Sequence, residues 1–151
     1  MRILVFLAGL LMACRGEAAE VKAVDGDSLA IGERRIRLLG MDAPEYSQTC
    51  GDKDGYDYPC GQDSLRFMQE LLAKGRVECK TVQKDIYKRD LSICYVNGED
   101  INRKMIENGW AVVYRTDDTE YVAAEESARV NKRGVWQGKF MKPELYRILM
   151  K

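Results

Sequence analysis

The sequence predicts an α+β fold in which a small closed sheet packs against helices. Five short stretches are typical of half-buried strands, and three longer stretches carry apolar residues at helical spacing. The helices lie between and after the strands, which favours the α+β class. The 151 residues suffice for one domain with a modest core, and no internal repeat or linker divides them.

The five predicted strands are short and are joined by polar turns. The third has the clearest pattern, because its arginines alternate with apolar residues at the two-residue period of a sheet. Asp25-Gly26-Asp27 predicts a tight turn between the first two strands, in which Gly26 can take a positive φ. The predicted strands are Val21–Val24, Ser28–Ile31, Arg35–Leu39, Val77–Val82 and Leu91–Val96.

Three helices are predicted from apolar spacing and from residues typical of helix ends. Asp100 is placed to cap the second helix, and Tyr121, Ala124 and Ala128 share one face of the third. The predicted helices are Asp63–Lys74, Ile101–Asn108 and Glu120–Arg133. The polar, glycine-rich stretch 46–62 predicts a loop without regular structure, and no element is assigned to the tail 141–151.

Residues 1–19 have the pattern of a secretory signal peptide. A positive charge at Arg2 precedes an apolar run of 11 residues, which is short of the roughly 20 that span a bilayer. Cleavage near Ala19 predicts a secreted or periplasmic protein. As an alternative, Leu11–Cys14 resembles a bacterial lipoprotein signal, and Cys14 would then become the lipidated N-terminus that anchors the protein at the membrane.

Four cysteines follow the predicted signal, and an even number in an exported domain predicts two disulfides. Local pairing is expected. Cys50 and Cys60 bracket a polar loop, while Cys79 and Cys94 lie on two strands that should form a hairpin. Zinc binding is the alternative, but the spacing Cys-x-x-Cys does not occur.

The composition limits the chemistry. The chain has no histidine, which excludes serine-type triads, histidine-dependent nucleases and most catalytic zinc sites. The net charge is zero, whereas a protein that binds nucleic acid by charge alone is expected to be basic. Any affinity for phosphate must therefore come from a local cluster of residues or from a bound cation.

Three polar segments follow one another along the chain and carry the acidic and arginine residues that matter for function. They are the turn Asp25-Gly-Asp27, the segment from Arg37 to Asp42-Ala-Pro-Glu45, and the turn Asp85-Ile-Tyr87-Lys-Arg89. Together they resemble the staphylococcal nuclease (thermonuclease) family, whose hallmarks are an Asp-Gly-Asp turn, an Arg…Asp-x-Pro-Glu segment and an Asp-x-Tyr-x-Arg turn. The resemblance runs from about Val21 to about Phe140.

The resemblance implies a five-stranded OB-type β-barrel with three helices over residues 20–140, followed by the tail 141–151. It also implies a Ca²⁺-dependent nuclease that hydrolyses DNA, RNA or both and leaves 3′-phosphate products. In this sequence the matching calcium ligands are Asp27, Asp42 and the backbone carbonyl of Ala43, with Asp25 beside the metal. Carboxylate oxygens suit such a hard cation.

The resemblance assigns catalytic roles as well. Glu45 matches the general base that activates water, and Arg37 and Arg89 match the two arginines that bind the phosphate. Tyr87 can stack on a base. Lys88 stands where many relatives have glycine, so it either changes the turn or adds a phosphate contact.

Two functions remain at this point. The first is the exported calcium-dependent nuclease, and the second is a non-catalytic OB-type module that only binds nucleic acid. The presence of the whole set of acids and arginines favours the nuclease, because a binding module has no physical need for it. We expect a monomer without an obligate protein partner, which meets a membrane only if it is lipidated at Cys14.

Overall fold

The computed structural model describes residues 19–150, so the predicted signal, including Cys14, lies outside the described residues apart from Ala19. The described part contains ten short strands: β1 Val21–Asp25, β2 Ser28–Ile31, β3 Arg34–Leu38, β4 Met41–Asp42, β5 Cys50–Gly51, β6 Asp57–Tyr58, β7 Val77–Lys84, β8 Asp90–Val96, β9 Glu99–Asp100 and β10 Val112–Val113. The predicted strands correspond to β1, β2, β3, β7 and β8.

The described part also contains four α-helices and one turn of 3₁₀ helix at Gly134–Gln137. The α-helices are α1 Cys60–Leu72, α2 Ile101–Glu107, α3 Thr119–Val130 and α4 Pro143–Leu149. The first three confirm the predicted helices to within a few residues. Within residues 19–150, no helix is long and apolar enough to cross a membrane.

The main sheet has the strand order β1-β2-β3-β8-β7, with β9 paired to β8. All pairs are antiparallel except β3 with β8, which run parallel with Arg37 opposite Leu91. The sheet curls into a half-barrel, and β10 pairs with β4 in a separate two-stranded sheet. This mixed α+β architecture confirms the predicted fold class and is consistent with the OB-type fold.

The core lies between the curled sheet and the helices. Helix α1 packs on β1, α2 packs on β8, and α3 packs on α2. Apolar side chains from all these layers are buried together, among them Leu29, Ile36, Leu38, Met41, Met68, Leu71, Ile101, Met105, Ile106 and Tyr121. Burial of this set supplies the main free energy that stabilises the fold.

One buried amide joins β8 to the end of β3. The side chain of Asn102 accepts a hydrogen bond from the backbone N–H of Cys94 at 3.1 Å. It donates to the carbonyls of Leu39 and Ser92 at 3.0 and 3.1 Å. Its polar atoms are therefore satisfied, and the chain that leaves β3 toward β4 is held at a fixed point.

Both predicted disulfides are present. Cys79 and Cys94 lie directly opposite each other on β7 and β8, with 4.1 Å between their Cα atoms. The Cys50–Cys60 disulfide joins β5 to the start of α1. It belongs to a second small core with the buried Val135, against which Trp136 and Phe140 pack.

The structure differs from the sequence prediction in three places. The stretch 46–62 is not wholly irregular, since it contains the β5–β6 pair and the first residues of α1. The tail contains α4, for which no element was predicted. Gly26 does not take a positive φ. A glycine is needed there because neighbouring residues pack too closely for a side chain, as described below.

Candidate active site

One arginine joins two buried aspartates. Arg37 lies on β3 between the buried Ile36 and Leu38, so its side chain points away from the core. Its Nη1 donates to Oδ1 of Asp27, and its Nη2 donates to Oδ1 of Asp42 at 2.6 Å. Asp27 and Asp42 are 2% and 0% exposed, so these ion pairs are largely removed from water.

The carboxylate of Asp27 is held by further hydrogen bonds. Its Oδ2 accepts from the backbone N–H of Ala43 at 2.9 Å, and its Oδ1 accepts from the hydroxyl of Ser28 at 3.0 Å. Asp25 lies beside it and accepts from the backbone N–H of Asp27 at 3.0 Å. Burial raises the pKa of Asp27 well above its ordinary value, although Arg37 acts in the opposite direction.

The turn that carries Asp27 is packed tightly against its neighbours. A Cβ placed on Gly26 would lie 2.0 Å from Oγ of Ser64 in α1 and 2.7 Å from Cβ of Ala43. Only glycine fits such an approach. The turn therefore fixes Asp27 by contact with α1 and with the segment after β4.

Glu45 lies just after β4 in a turn that is held from several sides. Its backbone N–H donates to Oε1 of the buried Gln48 at 3.2 Å, and its carbonyl accepts from the N–H of Gln48 at 2.8 Å. Gly61 of α1 lies directly against this carbonyl, because a Cβ there would be 1.8 Å from the Glu45 oxygen. The side chain of Glu45 itself is about a third exposed, at 36%.

Arg147 of α4 is a site residue that the sequence did not predict. Its Nη1 donates to Oδ1 of Asp42 at 2.9 Å and to Oε1 of Glu45 at 2.7 Å. Its Nη2 donates to Oδ2 of Asp42 at 2.9 Å. Burial acts to lower the pKa of Arg147, but the hydrogen bonds to Asp42 and Glu45 outweigh it and raise that pKa. Asp42 and Glu45 thus share one guanidinium.

Part of this arrangement had a sequence signal. Pro143 at the first helical position, Glu144 in the first turn and Arg147 in the last turn are typical of a short helix. These residues could have predicted α4. The placement of Arg147 on Asp42 depends on a contact across more than a hundred residues of chain, and local pattern carries no information about it.

The turn between β7 and β8 holds Arg89 in a defined position. Asp85 accepts from the backbone N–H groups of Tyr87 and Arg89, each at 2.9 Å, and from Nε of Arg89 at 2.7 Å. The Arg89 guanidinium also lies over the Tyr87 ring, 5.6 Å from its centre. Lys88 has a φ of 63°, the left-handed conformation that glycine adopts easily. Lys88 therefore preserves a glycine-like turn.

The structure brings most of the predicted site residues together. Arg37 contacts Asp27 and Asp42, Ala43 and Asp25 contact Asp27, and Glu45 is linked to Asp42 through Arg147. Arg89 stands apart from this cluster: within residues 19–150 its side-chain hydrogen bond is to Asp85. It immediately precedes β8, two residues before the partner of Arg37 in the parallel pair.

An open depression of about 330 Å³ lies beside this turn. Four cationic side chains and two acidic ones line it together with an aromatic ring: Arg34, Arg35, Lys84, Lys88, Glu33, Asp90 and Tyr87. Although the whole chain is neutral, this surface is locally basic.

Residues 35–138 match the family model described as "Staphylococcal nuclease homologue". The match covers more than half of the chain. The chain belongs to the staphylococcal nuclease family.

Several curated proteins are similar to this chain over most of its length. It is 37% identical to "Succinoglycan biosynthesis protein ExoI" of Rhizobium meliloti, over 87% of this chain and 73% of that protein. It is 31% identical to an "Uncharacterized endonuclease" of Haemophilus influenzae, over 88% of this chain and 75% of that protein. An "Uncharacterized endonuclease" of Escherichia coli O157:H7 is 34% identical, over 77% of this chain and 74% of that protein.

The staphylococcal nuclease family is generally metal-dependent. Asp27 and Asp42 offer buried carboxylate oxygens from two different segments, and this donor set fits a hard divalent ion. Within residues 19–150, no group of three or more His, Cys, Asp or Glu side chains is placed to hold a metal. Asp27 instead pairs with the guanidinium of Arg37, and Asp42 pairs with those of Arg37 and Arg147.

Proposed function

We propose that this protein is an exported calcium-dependent nuclease that hydrolyses phosphodiester bonds of DNA, RNA or both. One observation carries the proposal: Arg37 joins two buried aspartates, and Glu45 lies beside one of them. The family membership supports it, as do relatives whose names describe them as endonucleases. A module that only binds nucleic acid would gain nothing from burying Asp27 and Asp42 together.

Glu45 acts as the general base. Its carboxylate is partly exposed and can reach a water molecule, while the hydrogen bonds to Gln48 and the contact with Gly61 fix its backbone. It accepts a proton as the water oxygen attacks phosphorus in line with the leaving oxygen. The bond from phosphorus to O5′ breaks, O5′ takes a proton from solvent water, and the phosphate remains on the 3′ side.

Arg37 and Arg89 neutralise the phosphate. A guanidinium carries five N–H donors and keeps its charge at any physiological pH. The bonds of Arg37 to Asp27 and Asp42 therefore leave N–H groups that can donate to phosphate oxygens. Arg89 is oriented for this task by Nε, which is held by Asp85. Both arginines stabilise the negative charge that develops on the phosphate oxygens in the transition state.

Asp27, Asp42 and the backbone carbonyl of Ala43 would hold the calcium ion. When bound, the ion supplies positive charge that offsets the phosphate and polarises the bond to phosphorus. Asp25 contributes indirectly, because it accepts from the backbone N–H of Asp27 and so orients that residue.

The depression beside Tyr87 is the proposed surface for the rest of the nucleic-acid strand. Its cationic side chains can contact phosphates, and the exposed ring of Tyr87 can stack on a base. The neutral net charge restricts such binding to this local surface.

Export is supported by the two disulfides, which form and persist in oxidising compartments. We propose that residues 1–19 are removed as a signal peptide and that the mature protein is a monomer. Lipidation at Cys14 is the alternative. The mass of the mature N-terminus distinguishes the two, and protein recovered from its native host with Met1 intact would contradict export.

Digestion of single- and double-stranded DNA and RNA tests the proposal directly. We expect cleavage in calcium and none after chelation, with the fold intact by circular dichroism. An Asp27→Asn, Asp42→Asn double variant should bind an oligonucleotide without cleaving it. Wild-type protein that binds oligonucleotides but cleaves nothing at any calcium concentration would contradict the nuclease.

A further inference from the structure

We propose that Arg147 is a positioning residue that holds Asp42 and Glu45 and competes with a cation for Asp42. In this role, Arg147 sets the cation affinity of the site. The inference rests on the cation site of the proposed function, and it concerns a residue outside the matched range 35–138.

The geometry shows that both oxygens of Asp42 are taken. Oδ1 accepts from Arg37 and Arg147, and Oδ2 accepts from Arg147. The Asp42 side chain is only 1% exposed and that of Arg147 is 28% exposed, so Arg147 lies on the solvent side of the carboxylate. A cation that approaches Asp42 from solvent therefore meets the guanidinium first.

Several contacts hold helix α4 in the position that brings the guanidinium of Arg147 to Asp42. The hydroxyl of Tyr146 lies 3.3 Å from both Oγ and the backbone carbonyl of Ser47, in the turn that follows Glu45. The hydroxyl of Tyr114 donates to Glu144 at 3.0 Å. Pro143 at the start of the helix is buried. The position of Arg147 is thus determined by several contacts of its helix.

The contacts of α4 are weak enough for the helix to detach. Leu145, Ile148 and Leu149 are 47%, 68% and 59% exposed, so α4 buries little apolar surface. Its contacts are mainly surface hydrogen bonds and ion pairs, each of which contributes modestly to stability. Segments held in this way open at low free-energy cost.

Competition follows from charge and from lone pairs. Arg37 holds Oδ1 of Asp42, whereas Oδ2 accepts from Arg147. A divalent ion that binds Oδ2 must replace Arg147 there, because the ion and the guanidinium need the same lone pairs and repel each other. Displacing Arg147 from Asp42 also removes its hydrogen bond to Glu45. Cation entry would then free the Glu45 carboxylate to accept a proton, which couples loading of the site to activation of the base.

Calorimetric titration of the full chain with calcium tests the inference. Arg147→Met should bind calcium about tenfold more tightly than wild type, because a charge-assisted bidentate pair no longer competes. Arg147→Lys should fall between the two, since it keeps the charge but loses the fork. Circular dichroism and thermal melting confirm that each variant is folded.

Arg66→Met is the matched control. It removes the same charge, but Arg66 is 64% exposed and pairs with Asp63 of α1, so the contacts of α4 are left unchanged. Its calcium affinity should change by less than about twofold. An equal gain in Arg66→Met and Arg147→Met would assign the effect to general charge and overturn the inference.

Tyr146→Phe provides a variant that leaves the charge unchanged. Loss of its hydroxyl contacts with Ser47 should loosen α4 and raise calcium affinity, by less than Arg147→Met does. If wild type cleaves with calcium but Arg147→Met binds calcium no more tightly, the inference fails and the proposed function stands. If neither protein binds calcium, both the inference and the calcium dependence fail.

Discussion

Arg37 and Asp42 are joined by a hydrogen bond of 2.6 Å between Nη2 and Oδ1, across the turn in which Gly40 takes a φ of +79°. The other arm of the same guanidinium holds Asp27. One planar fork therefore sets the spacing between the two aspartates. A side chain with a single charged nitrogen cannot do so.

Arg37→Lys should lower turnover by a factor on the order of 10²–10³, the range for loss of one preorganised donor to the transition state. Stability should also fall, because one ammonium cannot satisfy both buried carboxylates. Steady-state kinetics and thermal melting measure the two effects. Arg133→Lys is the control: Arg133 donates to the carbonyl of Glu107 and to the hydroxyl of Ser127, and it belongs neither to the cluster nor to the lining of the depression. Its kcat should stay near that of wild type, and an equal loss in both variants would contradict the role of Arg37.

Gly61→Ala should damage catalysis through the backbone of Glu45. The added Cβ would lie 1.8 Å from the Glu45 carbonyl oxygen, so the turn must move. A displacement of about 1 Å in a catalytic group can cost about a hundredfold in rate. Gly75→Ala is the control, since its Cβ would meet the amide of Asn97, a side chain that can rotate. If folded Gly61→Ala protein turns over substrate as fast as Gly75→Ala does, Glu45 tolerates the shift and the prediction is wrong.

Lys88→Gly separates the two interpretations of this position. With lysine at this position, the left-handed φ of 63° destabilises the folded protein by about 1–2 kcal/mol. Glycine avoids this strain, but its greater conformational freedom in the unfolded chain offsets part of the gain. We expect a gain in stability of up to about 1 kcal/mol by chemical denaturation. Oligonucleotide affinity should fall, with a salt dependence shallower by about one phosphate contact.

Lys132→Gly is the control for that substitution, because Lys132 has a φ of 52° and lies after α3. It should gain similar stability and keep its affinity. Unchanged affinity in Lys88→Gly would restrict Lys88 to a conformational role.

Asp90 predicts an acid-sensitive contribution to stability. Hydrogen bonds from Lys84 and Arg34 hold the pKa of Asp90 below its ordinary value. A carboxyl with a lowered folded-state pKa stabilises the protein above its unfolded pKa of about 3.9, and this contribution is lost as the pH falls through the folded value. The difference in unfolding free energy between wild type and Asp90→Asn should therefore shrink below about pH 4. Denaturation at about pH 3 and about pH 6 measures it, and an equal difference at both would exclude the linkage.

Five of the ten described strands and the first three helices could be predicted from the sequence because their signals are local. The alternation around Ile36 and the shared face of Tyr121, Ala124 and Ala128 follow from the geometry of a strand and a helix. The cap at Asp100 is local too, and its side chain accepts from the N–H of Arg103 at 3.0 Å as expected. Both disulfides followed from spacing and the predicted hairpin.

The remaining features depend on contacts between distant segments. Gly26 is glycine because Ser64 and Ala43 approach it, which the turn sequence cannot reveal. The β5–β6 pair has two residues on each strand and is fastened by the Cys50–Cys60 disulfide and by a bond from Gly51 to the carbonyl of Lys139. No alternating pattern of that length is recognisable. The site was predicted residue by residue from family motifs, and these motifs contain no counterpart of Arg147.

The central claim is that Glu45 is the general base of a calcium-dependent nuclease, and Glu45→Gln tests it most directly. Cleavage rate and oligonucleotide affinity are measured on the same preparation at saturating calcium. We expect the rate to fall by a factor on the order of 10²–10⁴, while affinity changes by no more than about threefold, because Glu45 acts on water and not on the phosphate. A Glu45→Gln variant that cleaves at the wild-type rate, or that loses affinity as strongly as rate, would contradict the account.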